Sequence, residues 1–119
     1  MLVFVKPIAF VGNSLDSLRA FPVDARREAG YQLDRVQHGM EPGDWKPMST
    51  VGGGVREIRV REQGGAYRII YVATFADRVY VLHCFQKRTQ KTAKADLEIA
   101  ASRYKQVLSE HREKGGEQT

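Results

Sequence analysis

Three consecutive segments have the apolar patterns of β-strands, and this arrangement restricts the possible folds more than any other feature of the chain. The segments span residues 55–61, 66–75 and 79–87. Only short turns separate them, Gln63-Gly64-Gly65 after the first segment and Ala76-Asp77 after the second. The first segment alternates between apolar and charged side chains, and the second is largely apolar on both sides. With such short turns, the three segments are predicted to be antiparallel strands joined as a meander.

The chain before this meander has the pattern of a short strand and two helices. The strand covers residues 8–11, and Ser14, just after it, is a residue type that caps helices. Pro22 ends the first helix and opens a second, which runs to about His38, with Gly39 suited to its C-terminal stop. We expect these two helices to form a hairpin.

Two further segments complete the predicted architecture. Residues 40–54 are rich in glycine and proline, which predicts a loop. A final helix follows the meander, with Thr92 able to cap it and Gly115-Gly116 able to end it, so that residues 113–119 form a flexible tail. The order predicts a single α+β domain over residues 1–119. In it, an N-terminal helical hairpin and a C-terminal helix pack on one face of a small antiparallel sheet.

The basic residues are concentrated in the meander and just after it. Nineteen lysines and arginines against fourteen acids give a net charge of +5, which favours polyanionic partners. Residues 56–94 alone contain nine basic and three acidic side chains. A contiguous basic stretch of this kind is typical of a phosphate-binding surface.

Strand alternation predicts which of these charges share a face of the sheet. Every second residue of a strand points to the same side, so the polar residues of the first and third strands each form one row. If the two rows converge with the single charge of the middle strand, the open face is a cationic groove with an aromatic platform for base stacking. The residues of this predicted groove are Arg59, Arg61, Arg68, His83, Phe85 and Lys87.

Arg68 is the strongest of these candidates because it interrupts an apolar strand. Burying a charge there costs free energy unless the side chain has an ion-pair partner or a functional role. The alternative for Arg68 is an ion pair with Glu57 or Glu62 that offsets its burial. The other arginines also have an alternative interpretation, since most charged side chains are exposed and only solvate the surface. The clustering of the whole set favours a function.

Several classes of site are excluded by residue usage. Cys84 is the only cysteine, so no internal disulfide forms, and we expect it to be a small buried hydrophobe in a cytoplasmic protein. No acidic or His/Cys cluster has metal-ligand spacing, so we expect neither a metal nor a cofactor. No apolar run is long enough to cross a membrane, and the first ten residues lack the features of a signal peptide.

Four segments carry a resemblance to a known family. They are residues 44–48 (DWKPM), 54–59 (GVREIR), 67–71 (YRIIY) and 82–92 (LHCFQKRTQKT). The chain resembles the phage-derived, HigB-type branch of the RelE/ParE superfamily of toxins from type II toxin–antitoxin systems. The likeness extends from about residue 8 to residue 108, and residues 82–92 are its most specific part.

The resemblance implies a fold, partners and an activity. The implied fold, a helical hairpin on a small antiparallel sheet, matches the predicted order of elements. Members of the family are paired with an antitoxin, often a helix-turn-helix protein. Many cut messenger RNA, commonly on the ribosome, and in the RelE-like pattern the catalytic basic residues match Arg59, Arg61 and Arg68 here.

The C-terminal part departs from the RelE-like pattern, because a long helix stands where RelE-type enzymes place late-strand catalytic residues. Lys87, Arg88 and Lys91 replace those residues by location. Our hypothesis is that the 2′-hydroxyl of the RNA attacks the adjacent phosphate, with Arg68 stabilising the transition state. Lys87 is the favoured general base, because neighbouring cations lower the pKa of a lysine, and Glu57 is the alternative. The residues expected to grip the RNA are Arg59, Arg61, Arg88 and Lys91.

Three rival functions use the same fold or the same basic surface. The first is a ParE-like inhibitor of DNA gyrase, which acts by binding and cuts no RNA. The second is a nucleic-acid-binding domain without catalysis, which shows steep salt dependence and no products. The third is a folded but inactive prophage remnant.

Overall fold

The computed structural model describes residues 4–117 of the chain. Five strands and three helices follow one another along it. They are β1 (Ile8–Phe10), α1 (Ser14–Arg19), α2 (Val23–Gln37), β2 (Trp45–Pro47), β3 (Val55–Glu62), β4 (Gly65–Val72), β5 (Val79–Lys87) and α3 (Lys94–Glu117). The α+β class predicted from the sequence is confirmed.

A single five-stranded sheet forms the centre of the molecule, in the order β1-β5-β4-β3-β2. The predicted meander is confirmed, since β3, β4 and β5 pair antiparallel with one another. The sheet is mixed rather than purely antiparallel, because β1 pairs parallel to β5 at one edge. At the other edge, β2 pairs antiparallel to β3.

The prediction that residues 40–54 form only a loop is wrong at β2. Lys46 is the register partner of Glu57, and Pro47 is the partner of Arg56. A strand of three residues is too short to show a period, and a proline argues against a strand except at a sheet edge, where its missing N–H is not needed. This edge strand brings a lysine of the expected loop onto the sheet.

The helices lie on both faces of the sheet, which corrects the expectation of a single covered face. On the first face, α1 and α2 pack against apolar residues of β3, β4 and β5, and the helix residues in this core include Leu18, Phe21, Ala29 and Leu33. On the second face, α3 packs against Ile70, Val72, Tyr80 and Leu82 through Ala100 and Val107. The sequence pattern of α3 showed an apolar side but not which face of the sheet it covers.

A β-bulge in β5 changes the side to which its residues point. Tyr71 is the register partner of Val81, whereas Ile70 is the partner of His83, so Leu82 is an additional residue in β5. Val79 and Val81 therefore lie in the core under α1 and α2, while Phe85, also odd-numbered, packs on the α3 side. Without the extra residue, strict alternation would turn His83, Phe85 and Lys87 towards the α1/α2 core.

The helix ends agree only partly with the predicted caps. Gly39 ends α2 as expected: its φ is 80°, and the N–H groups of Gly39 and Met40 donate to the carbonyls of Val36 and Arg35. Ser14 is the first residue of α1 and not its cap, because its hydroxyl donates to the Val81 carbonyl in β5.

The start and end of α3 also differ from the prediction. Thr92 does not cap the helix, because its hydroxyl donates to the carboxylate of Glu57. The backbone of α3 continues through Gly115 and Gly116 to Glu117, so these glycines do not end it. A glycine in a helix costs only about 1 kcal/mol, which lowers helix stability without forbidding the helix. Of the predicted flexible tail, residues 118–119 lie outside the described part of the chain.

Within residues 4–117, no helix has both the length and the apolar character that crossing a membrane requires.

Candidate functional site

Five basic side chains lie on the part of the sheet that α3 leaves uncovered, and we call them the cationic patch. Its members are Lys46, Arg59, Arg61, Arg68 and Lys87. The register places them together: Arg59 is the direct partner of Arg68, and Ala66 is the partner of both Arg61 and Lys87. Like charges at directly opposed positions destabilise a sheet unless another charge compensates them. The patch therefore needs an anion within it or above it.

Glu57 supplies that negative charge from within the sheet. Its side chain is completely buried. The Oε1 atom lies 3.4 Å from Nε of Arg68 and 3.7 Å from Nζ of Lys46, and the Thr92 hydroxyl donates to Oε2 at 3.2 Å. A buried carboxylate is stable only when cations and hydrogen bonds surround it, so this one carboxylate joins β2, β4 and the segment just before α3.

Arg68 forms the floor of the cationic patch. Only 5% of its surface is exposed, and its Nη1 donates to the carbonyl of Tyr67 at 3.0 Å. Burial lowers the pKa of Arg68, Glu57 opposes this effect, and the charges of Arg59 and Arg61 lower the pKa further. The ion pair with Glu57, which the sequence left as the alternative for Arg68, is present. The guanidinium of Arg68 is thus fixed in place below the more exposed cations.

Lys87 lies at the end of β5, on the rim of the same patch. Burial lowers its pKa most, and the positive charges of Arg68 and Lys46 lower it further. A lowered pKa increases the fraction of neutral amine near neutral pH, which is the form that accepts a proton. The direction of the shift is the one that a general base at this position requires.

His83 and Phe85 lie where the cationic patch meets α3. Nε2 of His83 is 2.7 Å from Oδ1 of Asp96 in the first turn of α3, and its ring stacks on Phe85 with centroids 5.0 Å apart. Phe85 is only 9% exposed. The base-stacking platform expected from the sequence is therefore largely closed, and the two rings join β5 to α3.

The remaining predicted RNA contacts lie on the loop between β5 and α3. Arg88 and Lys91 are both exposed, and Nη2 of Arg88 donates to the side chain of Gln86 at 3.0 Å. Lys91 lines a cavity together with Lys46, at the side of the cationic patch. The structure brings seven basic residues to one end of the sheet. The five residues of the cationic patch lie on the sheet, and Arg88 and Lys91 lie on the loop beside it.

Three residues of the site were missed by sequence reasoning. Lys46 was assigned to a loop, Thr92 was assigned to a helix cap, and Asp96 had no assigned role. The available signal for Lys46 was its place in the DWKPM segment, but pairing with β3 depends on long-range register. The hydrogen bonds of Thr92 and Asp96 join residues 35 and 13 positions apart, and no local pattern predicts such contacts.

Two other sequence expectations concern chemistry outside the patch. Cys84 is buried in the core, and burial raises the pKa of its thiol to about 12, so it behaves as the small hydrophobe that the sequence predicted. Within the described residues, no three His, Cys, Asp or Glu side chains are grouped closely enough to hold a metal ion.

Comparison with known proteins identifies a family for this chain. No curated protein matches the chain. The family model described as "Phage derived protein Gp49-like (DUF891)" matches residues 16–105, which is 90 of the 119 residues. The matched segment begins in α1, ends in α3 and includes the whole cationic patch, and the family is related to the HigB/RelE toxins. The chain belongs to this family of phage-derived, Gp49-like proteins.

Proposed function

We propose that the chain is the toxin of a type II toxin–antitoxin pair and that it cleaves messenger RNA at the cationic patch without a metal ion. The observation that supports this proposal most strongly is the convergence of five basic side chains on the uncovered part of one sheet face. Membership of a family related to the HigB/RelE toxins supports it independently.

Binding comes first in the proposed reaction. Arg61 and Arg88 are exposed and Arg59 is half-buried, so they can contact successive phosphates of a single strand. Arg68 below them is already oriented by Glu57 and by the Tyr67 carbonyl. A preorganised guanidinium stabilises developing charge without first rearranging, so a phosphate bound on the floor of the cationic patch is stabilised by Arg68.

Cleavage then follows as an in-line attack. The 2′-hydroxyl oxygen forms a bond to the adjacent phosphorus, and its proton passes to the neutral amine of Lys87. The bond from phosphorus to the 5′-oxygen of the next nucleotide breaks, and that oxygen takes a proton from water. The products are a 2′,3′-cyclic phosphate and a free 5′-hydroxyl, with charge on the phosphoryl oxygens stabilised by Arg68.

Glu57 positions other groups in this scheme and is not the base. A general base must come within hydrogen-bond distance of the proton it removes, and the completely buried carboxylate of Glu57 already interacts with Arg68, Lys46 and Thr92. Its charge instead holds Arg68 and Lys46 in place while no RNA is bound. Lys87, on the rim of the patch, is the residue that can reach the hydroxyl.

An antitoxin, of helix-turn-helix type as the family resemblance implies, is the partner that restrains this activity in the cell. The activity itself is tested by inducing the gene and mapping the 5′ ends of transcripts. Wild type should arrest growth and produce new 5′ ends. Arg68→Lys, which keeps the charge but loses the planar fork, should produce neither, whereas Arg78→Lys, on the turn before β5, should behave as wild type.

Each rival function gives a different result in the same experiment. Growth arrest without new transcript ends, and persisting in Arg68→Lys, would support a gyrase inhibitor. RNA binding without new ends would support a non-catalytic domain, and neither arrest nor cleavage by wild type would support an inactive remnant. Any of these results contradicts the proposed function.

A further inference from the structure

A cavity of about 380 Å³ opens at the side of the cationic patch, between β2 and the start of α3. The apolar side chains of Met48 and Leu97 form part of its wall. Met48 lies in the core beneath α3, and Leu97, on α3, packs against that core. Thr50 and Gln90 are exposed and contribute hydrogen-bonding groups. Ligand pockets typically combine such an apolar wall with a few polar groups that fix orientation.

The cavity is joined to the cationic patch through two of its lining residues. Nζ of Lys46 lies 3.7 Å from the same Glu57 oxygen that pairs with Arg68 at 3.4 Å. Thr92, on the opposite wall, donates to the other oxygen of Glu57. A group that enters the cavity therefore lies beside the residues proposed to hold the reacting phosphate.

These features fit a planar, heteroaromatic ring attached to a phosphodiester. The apolar wall can contact the faces of the ring, and the cations Lys46 and Lys91 can contact the phosphate to which it is linked. The amide of Gln90 both donates and accepts hydrogen bonds, so it can pair with adjacent donor and acceptor atoms on a base edge. Sequence-specific recognition of RNA generally uses unstacked bases of a single strand in this way.

We propose that this cavity binds one unstacked nucleobase of the RNA and that Gln90 reads its edge, giving cleavage a sequence preference. The sequence preference in cleavage rests on the proposed function, whereas the binding of a base depends only on the cavity. Base binding in the cavity gives a role to residues 48–50 and to Gln90, which take no part in the proposed cleavage mechanism.

Cleavage of short RNAs that differ at one position near the cut tests the preference. Wild type should favour one base, and Gln90→Ala should reduce that preference about 10-fold while cutting the least favoured RNA within about two-fold of the wild-type rate. Gln106→Ala, an exposed glutamine on α3, is the matched control and should keep the wild-type preference. An active Gln90→Ala variant with unchanged preference, or a wild type with no preference, overturns the proposal.

A second measurement does not depend on cleavage. The four nucleoside monophosphates are titrated into the wild-type protein while backbone amide resonances are followed by NMR. We expect shifts at residues 48–50 and 90–92, with affinities that differ among the bases and a weaker response in Gln90→Ala. No shifts there, or shifts confined to another surface, overturn the proposal. If wild type cuts no RNA, the proposed function fails, and this titration still decides whether the cavity binds a base.

Discussion

One face of the sheet has a part that α3 covers and a part that it leaves uncovered. The same strands form both parts, but their side chains differ in polarity and charge. Beneath the helix, the face consists of apolar side chains such as Ile70, Val72 and Leu82, all essentially without exposed surface. Beyond it, the next residues along the strands are Arg68 and Lys87, with Arg59 and Arg61 beside them. The covered part supplies a core, whereas the uncovered part holds charged side chains, of which the buried Glu57 and Arg68 compensate each other as an ion pair.

The boundary between the two parts is fixed by specific contacts of α3. Asp96 binds His83, and Arg103 donates to the carbonyl of Leu82 at 2.9 Å and to the side chain of Asn13 at 2.6 Å. These bonds place the start of the helix at the bulge in β5. The side chains of β5 stay buried beyond the bulge as far as Phe85, and they become partly exposed at Gln86 and Lys87.

The largest expected effect is on catalysis in the uncovered part. Lys87→Ala should reduce RNA cleavage about 100- to 10,000-fold, because it removes the proposed general base. Its folding should be unchanged, since Lys87 lies on the rim of the patch. Cleavage rates and circular dichroism measure the two properties, and Lys94→Ala, an exposed lysine of α3, is the control.

The pH dependence sharpens this prediction. The pKa of Lys87 is lowered, so its amine becomes neutral at a lower pH than that of an ordinary lysine. The wild-type rate should rise with pH as this proton is lost and then level off. The residual activity of Lys87→Ala should lack that rise, and a rise that persists in the variant would remove Lys87 from the role of base.

The next effect is on stability in the covered part. Leu82→Ala should lower the free energy of unfolding by about 2–5 kcal/mol, because it leaves a cavity under α3. Arg61→Ala, in the uncovered part, should change it by less than about 0.5 kcal/mol. Urea denaturation measures both, and similar losses in the two variants would contradict the distinction between the two parts.

A smaller effect is expected where the loop before α3 is tied to the patch. Thr92→Val keeps the shape of the side chain but removes its hydrogen bond to Glu57. Bonds to charged groups contribute about 1.5–3 kcal/mol, so cleavage should fall about 10-fold, and Thr92→Ser should restore it. A valine variant as active as wild type would show that this bond does not position the reacting groups.

The smallest effect concerns a single phosphate contact. Arg61→Gln should reduce the slope of log affinity against log salt concentration by about 0.7, the value for one phosphate of a single strand. Binding of a non-cleavable 2′-deoxy oligonucleotide at several salt concentrations gives the slope. An unchanged slope would place the RNA elsewhere, and Arg19→Gln, on α1 at the other face, should have no effect.

The sequence was sufficient for features that depend on local patterns. The bounds of β3, the turn before β4 and the end of α2 at Gly39 follow from periodicity and turn residues, and the shared face of Arg59 and Arg61 follows from alternation within one strand. The relation between strands required the structure. The bulge at Leu82 reverses the alternation of β5, and no residue type at that position signals it.

The site was predictable to the same extent. Its positive charges are visible in the sequence because they cluster on consecutive strands. Its organisation is not, because Glu57 is surrounded by Lys46, Arg68 and Thr92 from three separate segments. Glu57 becomes buried only when these three segments come together. From the sequence alone, Glu57 was therefore a candidate general base, whereas its contacts in the structure favour a positioning role.

In the proposed reaction, the uncovered part of the sheet face promotes attack of the RNA's 2′-hydroxyl on the adjacent phosphate. The most direct measurement uses purified protein, an RNA oligonucleotide cut at one mapped position, and the same oligonucleotide with a single 2′-deoxy sugar on the 5′ side of the cut. We expect the RNA to yield a 2′,3′-cyclic phosphate and a 5′-hydroxyl, and the deoxy-substituted strand to bind but stay intact. Cleavage of the substituted strand at that same position would rule out attack by the 2′-hydroxyl.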